Sequence, residues 1–229
     1  MDFLSFIFPK KCICCKKFGD YLCSDCFTRL DFASSQVCGA CGRQAVSGLT
    51  HPICRSRYAI DGVFASLVYK GVAKKLIYQF KFAPFLKNLS VILIDLFYEG
   101  LIQQEVVIKA FSSDTVFVPI PLHLSKERSR GYNQSLILSK GLSKKLGIET
   151  KIILIRSKKT ISQVGKTQKE RKENIKGAFT LKYPLDLSGR TIFLIDDVVT
   201  SGSTFNEAAN VLKRAGAEKV YGLALAHGL

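Results

Sequence analysis

IFLIDDVVTSGST, from Ile192 to Thr204, is the stretch around which the chain is organised. Its first four residues are apolar, mostly β-branched or aromatic, the next two are carboxylates, and small and hydroxyl residues surround Gly202. That is the pattern of a buried strand breaking into a tight loop. Beyond it Phe205, Ala208, Ala209, Leu212 and Ala215 keep helical spacing. Backbone N–H groups in such a loop and at the helix start have no partner of their own, and Thr200, Ser201, Ser203 and Thr204 add hydroxyl donors. Together they make a cradle for a phosphate dianion. Asp196 and Asp197 would repel a bare phosphate, but they suit a sugar phosphate, accepting hydrogen bonds from two vicinal hydroxyls while the loop holds the phosphate. The plain competitor is an ordinary turn whose carboxylates cap and whose glycine bends. Thirteen consecutive positions that fit one chemical purpose weigh against it.

With that strand–loop–helix context, the stretch resembles the phosphoribosyl-pyrophosphate signature of type I phosphoribosyltransferases. The resemblance implies that Asp196 and Asp197 hold the ribose hydroxyls. It implies too that Val198 and Val199 lead into a loop, Thr200, Ser201, Gly202, Ser203 and Thr204, that holds the 5′-phosphate. A second block, VFVPIPL from Val116 to Leu122, is an apolar strand cut by two prolines, so the chain must turn near Pro119 and Pro121. Lys126, Arg128, Arg130, Gly131, Asn133 and Gln134 follow. This PxPL…R…RGYNQ arrangement resembles the ComF family of competence-associated phosphoribosyltransferase-like proteins, as does the cysteine-rich start. The resemblance implies pyrophosphate contacts from Arg130, Gly131 and Asn133, with Pro121 and Lys126 beside them; separately, Lys81, on the lysine-bearing side of the helical run 72–82, is expected to reach a bound diphosphate. A solvated basic face is the plain reading of the arginines.

All eight cysteines lie in the first quarter. Three C-x2-C pairs without an export signal favour metal over disulfides. Cys12, Cys15, Cys23 and Cys26 have the spacing of a zinc ribbon. Cys38, Cys41 and Cys54 lack a fourth cysteine where Arg57 stands, and His51 supplies the missing ligand at ribbon spacing. Spacing alone leaves cross-pairing of the first and third knuckles open, and Cys14 reads as a spare thiol. One or two closed, structural Zn²⁺ sites are expected, in a segment too small to fold without metal.

From Ala59 the cysteines stop and an α/β pattern begins, which divides the chain into a zinc-ribbon domain, 1–58, and a phosphoribosyltransferase-like domain, 59–229. The expected architecture is α/β, a type I phosphoribosyltransferase-like parallel sheet flanked by helices and preceded by the small ribbon. A strand is expected at 61–71, helices at 72–82 (ended by Pro84) and 86–104, a helix from Gln134 to Leu146, one strand from Lys151 to Arg156, and a last strand from Val220 to Ala226 beside the signature strand. The polar stretch 157–179 reads as a long loop. The resemblance makes it a hood over the reacting ribose, carrying Gln163, Arg171 and Asn174 ahead of Ala178 and Phe179, whose closure would exclude water.

The formal net charge is +16, and 126–176 alone holds fifteen basic residues against four acidic ones. Phosphoribosyl pyrophosphate accounts for only a few of these charges; a nucleic-acid backbone would use many, so single-stranded DNA is an expected partner. Tyr132, Phe111, Phe117 and Phe179 are the aromatics weighed for base stacking, against the commoner use of strand aromatics as core. No run of about eighteen apolar residues suggests a membrane span. Phe3, Leu4, Phe6, Ile7 and Phe8 suit packing better than a membrane surface, and a cytoplasmic location is expected. The resemblance further implies Mg²⁺ with phosphoribosyl pyrophosphate, a competence helicase or uptake machinery as partner, and a role in DNA uptake for transformation. An active transferase that passes ribose 5-phosphate to an amine or nucleobase is the alternative.

Overall fold

The computed structural model describes residues 10–34, 36–82, 87–158 and 168–228. Phe3, Leu4, Phe6, Ile7, Phe8, Pro84, Gln163 and the Arg171 side chain lie outside what is described. Residues 10–58 hold little regular structure beyond α1 (Ser24–Phe27) and an antiparallel pair, β1 (Gln36–Val37) and β2 (Gln44–Ala45). From Gly62 the pattern changes. β3 (Gly62–Val68), α2 (Gly71–Phe82), α3 (Lys87–Ile102) and a short α4 (Glu105–Lys109) lead to β4 (Thr115–Pro119). α5 (Leu124–Arg130), α6 (Gln134–Leu146), β5 (Glu149–Thr150), β6 (Leu154–Arg156), α7 (Gln168–Ile175) and β7 (Phe179–Leu181) follow. β8 (Thr191–Val199), α8 (Ser203–Arg214) and β9 (Lys219–His227) close the chain.

Five strands form one parallel sheet in the order β3-β9-β8-β4-β5. β8 lies in its middle, with Ile192 opposite Val116 on one side and Val220 on the other. Phe193 and Ile195 pack with Phe64, Phe97, Phe117 and Leu223 in the cluster that α2, α3 and α6 cover. Ile192 and Leu194 pack with Val63, Val116, Leu212 and Val220 under α8. Both faces of β8 are therefore buried, which is why its sequence is an unbroken apolar run rather than an alternation. Each such side chain contributes about 1.5–3 kcal/mol by leaving water. Gly222 of β9 admits the helix on that face: a Cβ there would stand 2.8 Å from the Phe205 ring.

The ribbon is docked along the sheet. Ala33 N donates to Ser66 O at 2.9 Å, and Val68 N donates to Asp31 O at 2.8 Å. The Gln36 amide brackets Ala65, accepting from its N–H at 2.8 Å and donating to its carbonyl at 3.1 Å. These bonds occupy the outer edge of β3, whose groups would otherwise be open to another chain.

Two expectations change. The strand read from Lys151 to Arg156 is two pieces: Glu149 and Thr150 extend the sheet edge, whereas Leu154–Arg156 pair antiparallel with β7. β4 runs out at Pro119, with Pro121 close behind, so little edge remains for a longer partner. The polar stretch read as loop contains α7, built of straight-chain helix formers and anchored by the buried Ile175, one apolar residue being too few to show a period. The donor-rich segment after β4 contains α5, capped by His123, whose side chain accepts from Ser125 N, and closed by Gly131 at φ 84°. Helix α6 lies where its periodicity put it, and no described helix is long and apolar enough to cross a membrane.

Candidate functional site

The exits of β4 and β8 and the C-terminal turn of α2 meet at the carboxyl end of the sheet, where open parallel sheets leave a crevice. Asp196 and Asp197 still belong to β8, with Asp196 in register with Ala224. Val198 and Val199 are strand residues too, opposite Ala226 and His227. Val199 is buried and its carbonyl accepts from Gly228 N at 2.7 Å, so its backbone is spent on the sheet. The turn itself is Thr200, Ser201 and Gly202, and Ser203 and Thr204 open α8. Gly202 sits at φ 72° as the cap residue and offers no side-chain bond, so the first-turn amides lack an acceptor of their own helix, the arrangement that binds anions. Ser201 Oγ and Ser203 Oγ are 2.9 Å apart across the turn.

The acids are held from two sides. Asp196 Oδ1 accepts from Ser135 Oγ at 2.8 Å and from Asp197 N at 2.9 Å. Asp197 Oδ1 lies 3.0 Å from Lys81 Nζ, so the lysine read as a reach toward diphosphate meets the acid pair first. Ser135 carried no signal in the sequence, being placed beside Asp196 only by the packing of α6 on β8. Asn133 explains its position: its side chain accepts from Ser135 N at 3.0 Å and donates to Ile120 O at 3.0 Å. Both ends of that buried amide are thus engaged in joining the exit of β4 to the start of α6. Gly131 donates its N–H to Glu127 O at 2.7 Å and ends α5. Arg130, one residue earlier, lies over the Phe82 ring at 5.5 Å.

Burial, then the charge of Asp197, push Asp196 up to about 7 against the opposing pull of Ser135, the Asp197 amide and Lys81. Burial works to lower Lys81, but the charge and hydrogen bond of Asp197, with Asp196 behind it, outweigh that and raise it. Lys126 is lowered, first by burial and then by Arg156, Arg130 and Lys81. Burial also lowers Arg156, against the attraction of Asp196. Lys81 and Arg156 thus act on the acid pair, and Lys126 feels Arg156, Arg130 and Lys81; the sequence did not single out Arg156. Cations at the rim and carboxylates at the floor suit a ligand that carries both phosphates and hydroxyls.

The aromatics weighed for stacking are core. Phe117 and Phe179 are buried, Phe111 packs against Phe193 at 4.8 Å between ring centres, and the Tyr132 hydroxyl donates to Phe80 O. Exposed aromatics stand instead on α2, where Tyr78 and Phe82 lie 4.7 Å apart.

The cysteines form two separate clusters, Cys12, Cys15, Cys23 and Cys26, and Cys38, Cys41, His51 and Cys54, with ligand atoms within 4.8 Å of one another in each. Each cluster uses consecutive knuckles, so the cross-paired arrangement is not the one formed. Cys15 Sγ lies 3.5 Å from Cys23 Sγ, and Cys41 Sγ 3.4 Å from His51 Nδ1, near the spacing of ligands around tetrahedral Zn²⁺ with Zn–S of about 2.3 Å. His51 Nε2 lies 2.8 Å from Gln44 O, a partner that leaves Nδ1 as the ligand nitrogen. Cys14 stands outside both clusters, and burial raises its thiol. Both donor sets fit structural zinc, and four protein ligands close each one to chemistry.

Fold and site together define a phosphoribosyltransferase-like α/β domain behind two structural zinc centres. Two families match parts of the chain: the phosphoribosyl transferase domain family matches residues 133–227, and the double zinc ribbon domain family matches residues 3–56. The chain is similar to Competence protein F of Haemophilus influenzae, 41% identical over 113 residues, or 48% of this chain and 49% of that protein. It is also similar to the DNA utilization protein YhgH of Escherichia coli strain K12, 38% identical over 104 residues, 45% of either chain. The matched part thus spans about half the length of these relatives. Both domains and these relatives are consistent with the ComF family, the family that the sequence resembles.

Proposed function

We propose that the chain binds phosphoribosyl pyrophosphate at the end of β8 and single-stranded DNA on the basic surface around it, and that it acts in DNA uptake. The observation that carries the sugar-phosphate reading is the acid pair itself. Two carboxyls, one raised to about 7 and the other paired with Lys81, stand one turn before a helix start whose amides lack acceptors. Asp196 and Asp197 take the ribose hydroxyls, the turn Thr200–Thr204 takes the 5′-phosphate, and Lys81 and Arg130 face the diphosphate. The same carboxylates are the hard oxygen donors that Mg²⁺ prefers, and a cation beside them would offset both the burial and the Asp197 charge that raise Asp196. When bound, Mg²⁺ would neutralise diphosphate charge. Calorimetric titration with phosphoribosyl pyrophosphate and Mg²⁺ tests the reading. Binding to the native protein should be lost in the Asp196→Asn/Asp197→Asn double variant, and unaltered affinity would rule out the ribose clamp.

For DNA, the support is the concentration of charge in the sequence 126–176, one member of which, Arg130, lies over the ring of the exposed Phe82 beside Tyr78. The names of the relatives, competence and DNA utilization, point the same way. Filter binding of a labelled oligonucleotide should show retention that falls steeply with salt. No retention at low salt would remove this half of the proposal.

The cationic rim favours a second reading, a transferase. There the C1–O bond of the donor breaks, pyrophosphate leaves with both bonding electrons toward Lys81, Lys126 and Arg130, and an amine or nucleobase nitrogen attacks C1 and gives up its proton to the departing pyrophosphate or water. Pyrophosphate release in the presence of a panel of amines and bases separates turnover from binding alone.

A further inference from the structure

Gly202 has a wall that belongs to the other domain. A Cβ on Gly202 would stand 2.6 Å from Gly39 Cα, 2.9 Å from Gly39 O and 3.1 Å from Gly39 C. Gly39 lies inside the Cys38–Cys41 knuckle of the second zinc centre. A Cβ on Gly39 would in turn stand 2.6 Å from Cγ2 of both Ile60 and Val63. Neither glycine has room for a side chain, so the knuckle backbone and the phosphate turn touch directly. The next residues are tied to the same block: Asn206 Oδ1 accepts from Ile60 N at 3.1 Å, and Thr50, beside the ligand His51, donates its N–H to Asp61 O at 2.9 Å and its hydroxyl to Ile60 O.

We infer that the second zinc centre is the back wall of the phosphate turn, so that zinc at Cys38, Cys41, His51 and Cys54 and a sugar phosphate at Thr200–Thr204 bind cooperatively. The inference rests on the sugar-phosphate reading of the turn. Zinc would tie the knuckle by two of its four bonds, through Cys38 and Cys41, to His51 and Cys54, whereas without it the described knuckle is closed by short-range backbone bonds such as Cys38 N to Arg43 O and Gly42 N to Cys38 O. Gly202, at φ 72°, is packed directly against the Gly39 backbone. A knuckle that relaxes frees the turn, and amides that no longer converge hold a phosphate less well. The first centre provides a contrast, since Cys12 and Cys26 join the apolar cluster that α2, α3 and α6 cover. Coupling of this kind is reciprocal.

The test uses the full-length, zinc-loaded protein with three variants, Cys54→Ser, Gly39→Ala and, as a control on the exposed side of the same ribbon, Val46→Ser. Ribose 5-phosphate is titrated by calorimetry, amide exchange is followed at 200–206, and zinc affinity is read by competition with a chromogenic chelator. Cys54→Ser should speed exchange at 200–206 and weaken ribose 5-phosphate by about tenfold. Gly39→Ala, which keeps every ligand and its zinc, should do the same in smaller degree, and Val46→Ser should change neither. Saturating ribose 5-phosphate should tighten zinc at the second centre by the factor that zinc tightens ribose 5-phosphate, a response that a merely structural metal would not give. Unchanged exchange in both Cys54→Ser and Gly39→Ala, or zinc affinity indifferent to a bound sugar phosphate, overturns the inference. If the intact protein ignores ribose 5-phosphate, the sugar-phosphate reading is what fails, and exchange at 200–206 still decides the wall.

Discussion

The ribbon and the sheet domain hold their shapes by different means. In residues 10–58 the fixed points are four thiolates in one place and three thiolates with an imidazole in another, joined by turns and two-residue strands. From Gly62 onward, Phe64, Phe97, Phe117, Phe193 and Phe205 are fully buried between helices and sheet. Ligand bonds do in the first region what apolar burial does in the second. A chelator can withdraw the first kind of support, and nothing so simple withdraws the second. The turn after the acid pair lies where the two meet, with the acids on the sheet and Gly202 against the knuckle.

Metal removal should separate the two regions most sharply. Structural zinc supplies on the order of 10–16 kcal/mol of binding energy that is also folding energy, so chelation or Cys12→Ser should erase dispersed backbone resonances at 10–34 while β8 amides stay protected. Loss of protection in β8 at the same chelator concentration would mean that the regions are one cooperative unit. Phe193→Ala attacks the other support and should cost about 3–5 kcal/mol in urea unfolding, with zinc retained up to the transition. Lys81→Met leaves Asp197 without its ammonium and should cost about 1–3 kcal/mol while weakening ligand binding. The smallest effect is a gain. Asp196 titrates near 7 when folded against an ordinary value of 3.8, so the native state binds its proton more tightly, and the resulting stability is present below about pH 4 and lost as pH rises through 7. Asp196→Asn should therefore raise stability by about 1–2 kcal/mol at pH 8 and bring little change at pH 4.

Legibility in the sequence followed the same divide. β8, α6 and α8 were readable because burial imposes a period on neighbouring residues, and the zinc ligands were readable because knuckle spacing is local. Ser135, Arg156 and the Gly39–Gly202 contact were not, since each depends on segments brought together only by the tertiary fold. Asn133 and Gly131 were picked out for their stretch, and the structure adds what that stretch could not show, that one side chain caps α6 and the other residue ends α5. Tyr78 and Phe82 were hidden among core-spaced positions of α2, where one face of a helix looks like another until its partner is known.

The central claim is that the turn after the acid pair grips a sugar phosphate. A crystal structure of the zinc-loaded protein with phosphoribosyl pyrophosphate and Mg²⁺ tests it most directly. The account predicts the 5′-phosphate against the amides of Thr200–Thr204, with the ribose hydroxyls on Asp196 and Asp197. A well-ordered protein in which that turn stays empty at saturating ligand, or holds the ligand away from both acids, would contradict it.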